Sequence, residues 1–181
     1  MSLDFTQNYF ELFGLPVQFD VDLPLLAERY RDLQKVLHPD RHADKGAHEQ
    51  RLAVQASSHL NRAMDTLKHP LARARYILSL HGINMDGDTD TRMDQGFLFQ
   101  QMEWRESLQA LPAGDASEDA IRDVLDQLAD EVQQERRHRL SALADLLARQ
   151  DWQAARDKIR ELQFIDKMLS EIDDKEAALD A

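Results

Sequence analysis

His38, Asp40, His42 and His48 fall within one short stretch, HPDRHADKGAH, and side chains of these types could hold a metal, move a proton or meet a cation. A metal site fits poorly. His38 and His42 stand four apart, but in a loop broken by Pro39 and not on the helix that carries such a pair in zinc hydrolases, and no third anchored ligand is evident. A serine hydrolase would need a Gly-x-Ser-x-Gly elbow and a nucleotide enzyme a glycine-rich phosphate loop; the 181 residues contain neither. With no cysteine, the chain has no thiol nucleophile, no disulfide and no cysteine-ligated metal or iron–sulfur site. What remains is an ordinary interhelical loop or a recognition site. Asp40 offers a carboxylate from a short loop, suited to pair with a cationic group on a partner, with His38 and Pro39 setting its orientation. No metal and no cofactor is expected.

The elements that must hold this loop are helical. Pro39 cannot follow a helical residue without a clash and offers no N–H, so the helix before it has to stop. Upstream, Leu26, Tyr30, Leu33 and Leu37 recur at i, i+4, i+7 and i+11, with Asp22 as N-cap. Downstream, Leu52, Ala56, Leu60, Ala63 and Leu67 make a second stripe. Two such stripes predict an antiparallel helical hairpin with His38-Pro39-Asp40 at its mouth. A short helix ending at Gly14 covers the open side with Tyr9, Phe10 and Phe13, and PLARARYILSLHG forms a further helix ending at Gly82. Arg31 and Lys35 lie on the polar side of the hairpin's first helix, with Glu28 among them, and Arg41 follows in the loop. Such cations beside the loop would attract an acidic partner surface.

After Gly82 the stretch INMDGDTDTRMDQG is polar and aperiodic, so residues 82–93 read as a linker between domains at 1–81 and 94–181. Three helices are expected in the second domain, over 94–111, 117–150 and 151–172, joined by short connections into an antiparallel bundle. Few glycines and prolines (6 and 5) and 43% hydrophobic residues agree with an all-α protein: a helical hairpin packed with a C-terminal three-helix bundle. The whole net charge of −12 lies in residues 82–181, where 24 acids face 12 bases; residues 1–81 carry 10 of each. A phosphate backbone would be repelled by that second half, so nucleic-acid binding is not expected. No basic-then-apolar leader and no membrane-length apolar run is visible, and the expected location is the cytoplasm.

The second domain carries its own recognition signal. Phe97, Trp104, Leu108 and Leu111 cluster on one helix face, a core stripe, whereas Leu98, Phe99 and Met102 fall with Glu103 and Glu106 on the other side. In the last helix Trp152, Ala155, Ile159, Leu162 and Leu169 form the expected buried stripe, with Phe164 and Met168 pointing away from it. Apolar residues off the core and rimmed by acids suggest a protein-docking patch.

The first eighty residues resemble a J domain, the helper module of DnaK-class chaperones. The match rests on YFELFGL, on His38-Pro39-Asp40 between two periodic helices, and on Asn61, Ala63, Leu67, Pro70, Arg73 and Tyr76 of LNRAMDTLKHPLARARY. Over nearly its whole length the chain resembles the HscB family of J-type co-chaperones of iron–sulfur cluster assembly, through YFELFGLP, HPLARARYILSLHG, FLFQQMEWRESL and DWQAARDKIRELQFIDKM. The resemblance implies no enzyme activity in the chain itself. It implies two partners, the chaperone ATPase HscA and the cluster scaffold IscU. Carried over residue by residue, it assigns chaperone binding to His38, Pro39 and Asp40 with Arg31, Lys35 and Arg41. Scaffold binding falls to Leu98, Phe99, Met102, Glu103, Glu106 and Phe164. Some relatives add a cysteine-based zinc segment, which this chain lacks. A J protein serving a different client is the alternative.

Overall fold

Helix caps written into the sequence delimit most of the elements of the computed structural model, which describes residues 5–37, 46–85, 94–111 and 117–179. Among the described residues there are seven helices and no strand: α1 (Tyr9–Leu12), α2 (Leu23–Leu37), α3 (Ala47–Lys68), α4 (Pro70–Leu80), α5 (Gln95–Gln109), α6 (Glu118–Ala148) and α7 (Trp152–Leu179). They divide into two compact units, Met1–Ile83 and Asn84–Ala181.

In the first unit, α1 opens on a reciprocal capping box. Asn8 Oδ1 accepts from the Glu11 N–H at 3.0 Å, and Glu11 Oε2 accepts from the Asn8 N–H at 2.9 Å. It closes at Gly14, whose φ of 61° lets the Gly14 and Leu15 amides turn back to Glu11 and Phe10. Asp22 Oδ1 caps α2 through the Leu25 N–H at 2.9 Å. That helix runs to Leu37, the residue before His38-Pro39. The core buries Phe10, Phe13, Leu26, Leu37, Leu60, Ala63 and Leu67. The α3 stripe differs from expectation at its start: Leu52 is 43% exposed, and Ala53 faces inward in its place, beside the expected Ala56. At about 100° per residue Leu52 lies at the rim of the arc set by Ala53, Ala56, Leu60, Ala63 and Leu67, and small alanines let α2 approach.

Three positions carrying the J-domain resemblance turn out to be fasteners. Arg73, 5% exposed, donates to the carbonyls of Leu67, Lys68 and Phe19, so one guanidinium caps the end of α3 and ties down the loop before α2. Tyr76 Oη accepts the Tyr9 N–H at 2.9 Å while the two rings stack at 4.4 Å, docking α1 on α4. Burial pushes the Tyr76 phenol above its usual pKa, against the opposing effect of that hydrogen bond. Tyr30 Oη donates to Asn61 Oδ1 at 2.9 Å, linking α2 to α3.

In the second unit Asp94, Ser117 and Asp151 accept from the amides of Phe97, Ala120 and Ala154, capping α5, α6 and α7. The α6–α7 turn repeats the Gly14 solution with a non-glycine residue, Gln150 at φ 60°. The core joins Phe97, Trp104 and Leu108 of α5 to Leu125, Leu128 and Val132 of α6 and Ile165, Met168 and Ile172 of α7. Here the expected α7 stripe is corrected. Met168 is 1% exposed rather than outward-facing, and Leu169 is only partly buried. The early part of α7 buries Ala155, Ile159 and Leu162; its later part also meets α5, and the inward direction turns by about 100° onto Ile165, Met168 and Ile172.

Candidate docking surfaces

In the first unit, α2 presents Arg31 and Lys35 to solvent over its last two turns, with Lys35 Nζ paired to Asp32 at 3.0 Å. Leu37, 8% exposed, anchors the end of the helix into the core. His38, Pro39, Asp40, Arg41 and His42 lie outside the described residues, between that anchor and Gly46, the N-cap of α3. His48 is exposed on the first turn of α3.

In the second unit the α5 face is built as its spacing implies. The helix is pinned through Phe97, Gln101, Trp104 and Leu108, one residue per turn along a narrow seam. The opposite side carries Leu98 at 42%, Phe99 at 68% and Met102 at 57% exposure. Leu98 and Phe99 stand one turn before Met102, and exposed Glu103 and Glu106 continue the same surface. An apolar group of this size costs free energy in water and gains it on being covered.

Phe164 needs a correction. Expected to point away from the core, it is partly buried, with its ring edge-to-face against Phe97 at 6.0 Å. Because the later half of α7 meets α5, Phe164 falls in the crevice between the two helices. It borders the exposed face and does not stand on it. Sequence reasoning passed over Arg105, whose guanidinium lies 5.4 Å from the centre of the Phe164 ring and covers its outer side. An exposed arginine on a helix carries no signal by itself; only the neighbouring helix reveals the stack.

No helix among the described residues is long and apolar enough to cross a membrane. A family model described as the HSCB C-terminal oligomerisation domain matches residues 93–173, which include all of α5 and α6 and most of α7. A co-chaperone protein HscB homolog from Cupriavidus taiwanensis is 44% identical over 168 residues, 93% of either chain. The chaperone HscB from Vibrio cholerae has a solved structure with a TM-score of 0.83 and 42% identity, the match covering 96% of this chain and 99% of that one. The crystal structure of human co-chaperone HscB matches with a TM-score of 0.86 at 28% identity, over 97% of this chain and 85% of the human chain. With relatives of this identity aligned across both units, the chain belongs to the HscB family of co-chaperones.

Proposed function

We propose that the chain stimulates the ATPase of a DnaK-class chaperone, HscA, and brings to it the iron–sulfur scaffold protein IscU as client. On the chaperone side, the Asp40 carboxylate pairs with a cationic group of the ATPase, oriented by His38 and Pro39. The pair stimulates hydrolysis only by binding one conformational state of the chaperone more tightly than the other. Arg31, Lys35 and Arg41 flank the loop and speed encounter with an acidic surface, in a salt-sensitive way. On the client side, Leu98, Phe99 and Met102 act as apolar anchors, Phe164 closes the edge, and Glu103 and Glu106 select a scaffold with a basic rim. The chain performs no chemistry of its own and works in the cytoplasm; the iron–sulfur cluster is the scaffold's cargo.

The observation that carries this reading is the exposure of three large apolar side chains on adjacent turns of one helix, rimmed by two carboxylates. Dividing the chain tests it. Residues 1–81, which hold their own caps and core, are expected to stimulate the HscA ATPase without enhancement by IscU, whereas the full chain shows both. A fragment that is unfolded by circular dichroism would place the domain boundary elsewhere. Stimulation of HscA by a full chain that neither binds IscU nor responds to it would assign the chain a different client.

A further inference from the structure

Behind the exposed α5 face sits a charged cluster with more arms than charge balance requires. Arg139 of α6 is 9% exposed. Its Nε donates to Glu161 Oε2 of α7 at 3.0 Å, and its Nη1 donates to Glu135 one turn back on α6. Those two carboxylates already neutralise it, and Lys158 shares Glu161 at 2.7 Å. The remaining arm does something else. Nη2 donates to the uncharged Gln100 Oε1 of α5 at 3.0 Å, and the guanidinium Cζ sits over the Phe97 ring, 4.5 Å from its centre. One side chain thus grips Phe97 and Gln100, the two residues that bracket Leu98 and Phe99.

Such a grip matters because α5 is held so sparingly. A helix of 15 residues is marginal alone, and this one is seated by a single file of side chains. Its middle has a polar anchor, the Trp104 indole N–H donating to Glu131 Oε1 of α6 at 2.8 Å. Its first turns, where Leu98 and Phe99 emerge, have Arg139. Docking side chains contribute most when their helix is already ordered in the bound geometry, since ordering on binding is charged against affinity.

We propose that Arg139 is a positioning residue for the docking face: it holds the start of α5 in register so that Leu98 and Phe99 are presented preorganised. The proposal rests on the reading of that face as the IscU surface, and its test separates the two. Arg139→Lys keeps the positive charge opposite Glu135 and Glu161 but cannot cover Phe97 and reach Gln100 together. A charge-balancing role is therefore rescued by lysine; a positioning role is not. Gln100→Ala removes the same contact from the other side. Leu143→Ala truncates a buried α6 residue that makes none of those bonds and lies outside the core cluster of Phe97, and serves as a control that lowers stability.

Full-length variants are compared by amide hydrogen exchange over residues 97–102 and by titration with purified IscU. Arg139→Lys and Gln100→Ala are expected to speed exchange in that segment and weaken IscU binding about tenfold, which corresponds to about 1.4 kcal/mol. The double variant should be no worse than the poorer single one, and Leu143→Ala should bind normally despite a lower melting temperature. Unchanged exchange in both single variants, or penalties that add in the double variant, overturns the positioning role. If wild-type protein fails to bind IscU, the docking reading falls, and the exchange measurement still decides whether Arg139 holds α5.

Discussion

Replacing Phe99 and Met102 together by alanine gives two opposite readings two different outcomes. Phe99 is 68% and Met102 57% exposed, so their own fold covers little of either side chain beyond what the helix backbone covers. Surface truncations of this kind change stability by less than about 0.5 kcal/mol each. Alanine's helix propensity offsets part even of that. The exposed share is what a partner can cover. Fully burying a large apolar side chain is worth about 1.5–3 kcal/mol, so the two together hold about 2–4 kcal/mol for docking, or at least about 30-fold in Kd. Isothermal titration with IscU reads the affinity, and urea unfolding of the same sample reads the stability. Loss of binding with an unchanged unfolding midpoint supports the docking face. Undiminished binding moves the client site elsewhere. A loss of about 2 kcal/mol or more in stability means that both side chains are packing, and the reasoning from their exposure is wrong. Phe164 is left out of this variant because its ring is part of the packing against Phe97.

Three further outcomes are expected. Asp40→Asn is expected to fold normally yet lose ATPase stimulation, since removing one member of a desolvated charge pair costs about 2–5 kcal/mol; normal stimulation by the folded variant would refute the chaperone-facing assignment. Arg73→Met leaves the carbonyls of Leu67, Lys68 and Phe19 without this donor and should lower stability by about 3–5 kcal/mol in denaturant unfolding, with wild-type stability marking the network as dispensable. His59, edge-on to the Phe5 and Tyr9 rings, has its pKa lowered from 6.5 by burial and then by Arg62. The folded value lies below the unfolded one, so its contribution is full above about pH 6.5 and is lost as pH falls through the folded value. His59→Gln should flatten the pH dependence of unfolding in that window, and an unchanged slope would assign it to other groups.

The sequence by itself determined what is local. Asp22 caps α2 as its position implies, and Asn8, Asp94, Ser117 and Asp151 do the same for α1, α5, α6 and α7, because an N-cap acts on amides two or three residues away. Gly14 and Gly82 take the left-handed conformation that ends a helix. The sidedness of α5, with Trp104 in and Phe99 out, followed from spacing alone, since a single helix has one period. Tertiary structure decided whatever depends on a second or third helix. Met168 is buried and Phe164 wedged because α5 meets the later half of α7 from a direction that the α7 sequence does not contain. Ala53 replaces Leu52 at the hairpin seam because the close approach of α2 selects among neighbouring positions on one arc. Along the chain Arg73 stands out only through the J-domain resemblance, and Arg139 not at all. Only folding brings the Phe19 carbonyl to the first, across 54 residues, and Gln100 to the second, across 39, and a guanidinium joins elements only where its fork finds several partners at once.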